Sequence, residues 1–488
     1  MTNTQFPIPN TQYPTPNTQY PIPNTQHTQH PIPTTRSPMP NPQHPIPRTQ
    51  SPTPNTQLPL PPRTLPQLGA EPEPVPGLVL GYFGAALAWY FLATVGLVRL
   101  APDLAHGLAA MPATVAVVHA LSLGMLGSAV FGALHQFIPA VTGVKPRSVA
   151  SAMAGFVLVQ LGVALLVAGF LVWSPPLQAA GWTLLLPGIG AASWNTLPAR
   201  SRATRNHPIA TAVLLGHGAL AAALLLGLAR IGDGLGWWHT SRDAILLAHL
   251  HLGIAGFGTV TALGVTGAML PAFLESRSRG PFPSAIAWVA TLGLGILTAG
   301  ALTTTPLLIR AGGALLFAAL ALYGILLGRV FHSRTRPVTG SVAFFLAAFL
   351  CLVLALGIGF RLLVAPTRDA ALWIAYVVLG LPGWIGLLIL GVMHQVAPRL
   401  LTLRRARRAP AGVALSRATF TPEPRVAWLS AALAAAGVLV LASGVLLGDP
   451  RMTRGGALLM VAGSLTVILQ GAIVLGVGSR EWGVGSGG

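Results

Sequence analysis

Charge is the scarcest property of this chain. Of its 488 residues only 8% are Asp, Glu, Lys or Arg, against about 25% in soluble domains. So few charges exclude an ordinary water-soluble fold. Cysteine is nearly absent as well. The one copy, Cys351, excludes a disulfide framework and a thiolate zinc cluster. Only ten residues are acidic: Glu71, Glu73, Asp103, Asp233, Asp243, Glu275, Asp369, Glu423, Asp449 and Glu481. None stands deep in an apolar run, so a proton pathway through buried carboxylates has no carriers, and a Ser-His-Asp triad has no acid. The glycines lack the strand context of a phosphate-binding loop.

Apolar sequence is what remains. The chain is 53% hydrophobic, with a mean hydropathy of +0.67. This is the composition of an all-α polytopic membrane protein whose first partner is the lipid bilayer. A net charge of +19 would suggest nucleic acid in a soluble protein. Here the arginines beyond the N-terminal tail stand in loops between apolar segments, so no nucleic-acid partner is expected.

Residues 1–76 read differently. PIPNTQ recurs at 7–12 and 21–26, and PTPNTQ at 14–19 and 52–57. Frequent proline and few aliphatics predict a disordered or polyproline-like tail. It has no signal-peptide pattern, and its prolines exclude a coiled coil. Residues 77–478 form the expected transmembrane domain, followed by a short tail at 479–488. Within that domain, twelve segments are long enough to span at about 20 residues each. They are 78–100, 113–138, 149–173, 178–197, 208–229, 244–270, 284–305, 308–328, 340–364, 371–397, 426–447 and 455–477. Loops after even-numbered segments carry 17 basic residues, including a run from Arg404 to Arg408, and the odd loops carry 8. The positive-inside rule then puts both termini in the cytoplasm of a bacterial-type inner membrane.

Segments 2, 6 and 10 share a register. Anchored on Pro139, Pro271 and Pro398, each has a glycine fifteen residues earlier (Gly124, Gly256, Gly383). Each has another seven earlier (Gly132, Gly264, Gly391). The anchors are four segments apart, so the twelve segments divide into three pseudo-symmetric units of four. Glycines at fixed depth predict close helix packing, and sites in such repeats usually lie at repeat interfaces.

Histidines fall on the same register. Twenty residues before the proline stand His119, His251 and Val378, and twenty-two before stand Val117, His249 and Tyr376. An intramembrane imidazole is a functional-site candidate by default. His249 and His251, two residues apart, point about 200° apart around a helix, toward different neighbours. His119 and His251, at equal depth, are candidates to clasp one metal.

The run HLHLGIAGF, with its later glycine and proline, resembles a helix of the haem–copper oxidase catalytic subunit. The likeness is to the branch with cbb3-type oxidases and nitric oxide reductases. That resemblance implies twelve helices in three groups of four. It implies His119 and His251 as ligands of a low-spin haem b, and His249 as proximal ligand of a second haem. It also implies a redox partner such as a cytochrome or quinol, with electron transfer or small-gas redox chemistry as the activity. Two departures stand beside it. The family's HxH is on helix 10, whereas here it is on segment 6, and segments 3, 7 and 11 contain no histidine to form a copper triad. Copper and proton-pumping oxygen reduction are therefore not expected. A transporter or channel on the same frame, or an assembly factor for a respiratory complex, stays open as an alternative. Among the other histidines, His217 is a further ligand candidate in segment 5. His135 and His394 read as polar contacts near helix ends, and His106, His207, His239 and His332 as loop residues. Trp237, Trp238, Trp373 and Trp428 fit an interfacial aromatic belt.

Overall fold

The computed structural model describes residues 76–142, 146–197, 208–278, 284–367, 369–408 and 424–480. The expected disordered tail, apart from Pro76, and the basic loop 409–423 lie outside them, as do His207 and the chain from 481. The described residues form twelve helices and no strand. In order they are α1 (Pro76–Ala105), α2 (Pro112–His119, Ala120–Gly127 and Ser128–Thr142), α3 (Val149–Leu171), α4 (Pro175–Thr196) and α5 (Pro208–Gly234). Then come α6 (Arg242–His251, Leu252–Val260 and Thr261–Phe273), α7 (Ser284–Leu302), α8 (Pro306–His332) and α9 (Gly340–Val364). The last three are α10 (Ala370–Val378, Leu379–Gly386 and Leu387–Arg408), α11 (Pro424–Leu447) and α12 (Pro450–Arg480). Eleven are long and apolar enough to cross a membrane. The twelfth, α4, carries Gln178 and Asn195, which tie it to α3 through Gly169 O at 3.3 Å and Ser151 Oγ at 3.1 Å. Leucines such as Leu92, Leu225 and Leu307 stand well exposed around the outside. That surface suits lipid, in which each helix satisfies its own backbone. The chain is an all-α, multi-pass membrane protein.

The three motif helices α2, α6 and α10 are the innermost: 67%, 67% and 89% of their spanning windows are buried, against at most half elsewhere. Their register glycines admit the preceding helix. A Cβ on Gly124 would fall 2.5 Å from Trp89 Cγ of α1, and one on Gly132 2.7 Å from Tyr82 Cβ. A Cβ on Gly256 or Gly264 would strike Ala219 or Ala212 of α5. One on Gly383 or Gly391 would lie 3.0 Å from Cys351 Cβ or Phe344 Cβ of α9. Thus α1 with α2, α5 with α6 and α9 with α10 repeat one packing mode, as small residues at fixed depth require.

The remaining pairs repeat too. Helices α3 and α4, α7 and α8, and α11 and α12 are tight hairpins. Each turns on one left-handed residue: Trp173 (φ 53°), Thr304 (φ 52°) and Gly448 (φ 65°). Ser174, Thr305 or Asp449 follows as the residue before the next helix, then a proline with preset φ at its first position. Eleven residues before each turn stand Gly162, Gly293 and Gly437. A Cβ there would meet the partner helix backbone: Leu185 N at 2.8 Å, Leu316 N at 2.7 Å and Met460 N at 2.7 Å. The Ser-Pro, Thr-Pro and Asp-Pro steps were a legible sequence signal that the glycine–proline register alone does not use.

Candidate functional site

Each motif helix contains one π-helical stretch: Ala120–Gly127, Leu252–Val260 and Leu379–Gly386. Each begins nineteen residues before the anchoring proline, directly after His119, His251 or Val378. The three stretches contact one another at the centre of the bundle. Trp384 Nε1 of α10 donates to Thr259 Oγ1 of α6 at 3.1 Å, and that hydroxyl donates to Ile254 O, five residues back, at 3.0 Å. Long π segments are rare and concentrate at functional sites. Three at one register set the rotation of each helix just where its histidine position lies.

The imidazoles are oriented by backbone carbonyls. Nδ1 of His119 donates to Val115 O at 2.8 Å, and Nδ1 of His251 to Leu247 O at 2.8 Å. His249 reaches across to α5, where Nδ1 donates to Ala223 O at 2.9 Å. A carbonyl only accepts, so each neutral ring is the Nδ1–H tautomer with its lone pair on Nε2. This is how metal-binding histidines are usually held.

The structure pairs these rings differently from the equal-depth expectation. His119 lies beside His249, with ring centroids 6.1 Å apart and planes at 30°. His251 turns to α10, with centroids 5.8 Å from Tyr376 at 33°. Tyr376 donates its hydroxyl to His251 Nε2 at 3.3 Å. His119 and His249 are thus ring neighbours, and His251 neighbours Tyr376. The reason is rotational. On helices related by a pseudo-threefold axis, a register position that lies off the axis faces a different position of the neighbouring helix. At two of the interfaces, one helix's position twenty meets the next helix's position twenty-two. His119 meets His249, His251 meets Tyr376, and Val378 with Val117 are left for the third.

The remaining intramembrane histidines are separate from this layer. His394 is held by Leu390 O and by the side-chain amide of Gln470, 2.9 Å from Nε2. The atom of Gln470 that meets Nε2 is Oε1. His135 stacks on Tyr82 at 5.6 Å. His217 stands between Phe131 and Phe257. Both are buried, and their Nε2 atoms have no partner among the described residues. His106 and His332 are exposed, and His239 is 3.6 Å from Asp233. Trp237, Trp238 and Trp428 are exposed, and Trp373 is half-buried with Nε1 bonded to Thr367 O. The described acids lie in turns or at helix ends.

The His119–His249 gap has a chemical scale. Two imidazoles bound in trans to one iron, each Fe–N about 2.0 Å, set their ring centroids about 6.3 Å apart. Among the described residues neither Nε2 has a hydrogen-bond partner, and no group of three or more His, Cys, Asp or Glu converges anywhere. Two protein nitrogens are too few for a bare zinc site. Two is the number of protein ligands that a porphyrin-held iron takes when six-coordinate. No protein-family model matches the chain, and no curated protein matches it.

Proposed function

We propose that this protein holds a haem b between His119 and His249, and that it serves electron transfer or redox chemistry on a small gas. The observation that carries the reading is the 6.1 Å pair of imidazoles on adjacent motif helices, each with Nδ1 tied to a carbonyl and Nε2 free. The likeness of segments 2, 6 and 10 to haem–copper oxidase helices supports haem as the cofactor and His119 as one ligand, while the choice of His249 over His251 rests on the ring geometry.

In this account His119 and His249 bind through Nε2. Val115 O and Ala223 O keep both rings in the correct tautomer and raise their basicity. Phe170 of α3, with its ring 4.4 Å from that of His119, walls the site on one side and keeps water away. When bound, haem iron supplies one-electron chemistry by cycling between ferrous and ferric states. His251 and Tyr376 form a hydrogen-bonded pair on the next interface. Electrons come from a partner such as a cytochrome or quinol. The excess of basic residues in the loops after even-numbered segments supports an orientation with both termini cytoplasmic, here in a bacterial-type inner membrane.

The test is the absorption spectrum of the purified full-length protein, oxidised and then dithionite-reduced. A Soret band with sharp reduced α and β bands is expected. Protein without haem after expression with ample haem supply refutes the proposal.

A further inference from the structure

A second feature lies deeper along the axis where the motif helices meet. There, α2, α6 and α10, with Phe83 of α1, line a cavity of about 60 Å³. Its wall is made by small residues on two helices (Ala129 and Ala133 of α2, Gly258 and Ala262 of α6) facing large ones such as Leu388 and Val392 of α10. Leu126, also in the wall, is seven residues beyond His119. At about 1.5 Å per residue that places the cavity roughly 10 Å further into the bundle.

The wall is almost wholly carbon. Two threonines contribute to it: the hydroxyl of Thr266 is engaged, and that of Thr261 has no hydrogen-bond partner among the described residues, one polar group where an ordered water needs at least two. Thr266 Oγ1 donates to Ala262 O at 2.6 Å and is 2.6 Å from Tyr323 Oη. Thr261 Oγ1 occupies the place where a side chain on Gly216 of α5 would stand, so the hydroxyl turns away from the axis toward α5. An ordered water needs two to four polar partners, and a cavity without them stays dry. The volume is several times the roughly 10–15 Å³ that one water requires, and less than half of the ~150 Å³ of a dry cavity that accepts benzene.

We propose that this axial cavity binds one small, neutral, apolar molecule of the class of sparingly water-soluble diatomic gases. The proposal stands on the cavity's size and lining and does not depend on the haem site. The small residues of α2 and α6 leave the space unfilled, and the absence of a side chain at Gly216 lets the Thr261 hydroxyl lie toward α5. Where a haem is bound at His119 and His249, the same site holds a reservoir of gas one helical turn or two from the iron layer.

Xenon is the probe, since it matches the size and apolarity of the class and can be located directly. The structure of the full-length protein is determined under xenon pressure, with wild type beside Ala262→Leu, Gly258→Ala and His119→Ala. Xenon is expected on the axis in wild type and in His119→Ala. It is expected to be lost in Ala262→Leu, whose added carbons fill the cavity. Gly258→Ala tests the same space more gently, because its new Cβ falls 3.3 Å from Ile385 Cδ1 and Leu126 Cδ2, both flexible ends. Xenon occupancy in this variant should fall at least threefold, and it decides the matter should Ala262→Leu fail to fold. An axis free of xenon in wild type, a lipid acyl chain lying there instead, or unchanged xenon occupancy in Gly258→Ala would each overturn the proposal.

Discussion

Gly132→Ala tests the repeat architecture at a close contact between α1 and α2. The new methyl would sit 2.7 Å from Tyr82 Cβ and 3.1 Å from Phe83 Cδ1. Tyr82 Cβ is anchored to its own helix backbone, and Tyr82 is fully buried, so no rotamer change relieves the clash. Ordinary contact begins near 3.4 Å, which means that α1 and α2 must separate by about 0.7 Å, and dispersion contacts weaken steeply over such a gap. Overpacking of this kind costs about 1–3 kcal/mol. Replacing a helical glycine by alanine also gains about 0.5–1 kcal/mol of backbone entropy. Gly218→Ala supplies the control, since Gly218 is exposed and a Cβ there meets nothing within 4 Å. The entropy gain is common to both variants and cancels between them. Gly132→Ala should therefore lie about 1–3 kcal/mol below Gly218→Ala, roughly a 5- to 150-fold difference in the folded ratio. Unfolding by sodium dodecyl sulfate in mixed micelles, followed by circular dichroism at matched haem content, measures the difference. Equal stability of the two variants would refute close α1–α2 packing at this glycine.

Three further outcomes follow from single contacts. Tyr376→Phe removes the hydroxyl that His251 Nε2 accepts and should cost about 1 kcal/mol in the same unfolding assay, while the haem spectrum stays unchanged. Gln470→Leu leaves His394 Nε2 buried without its side-chain partner and should cost about 1–3 kcal/mol; no loss of stability would show that the contact is not formed. Thr304→Gly relieves a β-branched residue at φ 52° in the α7–α8 turn and should raise stability by about 1 kcal/mol. A fall in thermal midpoint would contradict the left-handed turn.

Much of the frame could be read from the residues. Long apolar runs and scarce charge specify spanning helices because lipid leaves the backbone few alternatives. The glycines at 124, 132, 256, 264, 383 and 391 marked close approach, and a missing Cβ is the physical cause in each case. The pairing of the histidines was not legible in the same way. Equal depth is a property of one helix, whereas facing is a property of two, and the rotation that relates them sends position twenty toward position twenty-two. The π segments were hidden as well. Nothing in ALSLGMLG, LGIAGFGTV or LGLPGWIG distinguishes a π from an α ladder, because that choice is made by packing among the three helices. The axial cavity is of the same kind. Ala129 and Ala262 read as ordinary helix formers, and only the assembled bundle shows that no neighbour fills the space beside them.

The central claim is that His119 and His249, and not His119 and His251, hold one haem. The reduced-minus-oxidised spectrum of His249→Ala beside His251→Ala tests it most directly, with His119→Ala as the shared reference. The account predicts loss of the low-spin α and β bands in His119→Ala and His249→Ala, and their retention in His251→Ala. Bands that survive in His249→Ala and vanish in His251→Ala would contradict it and restore the equal-depth pair.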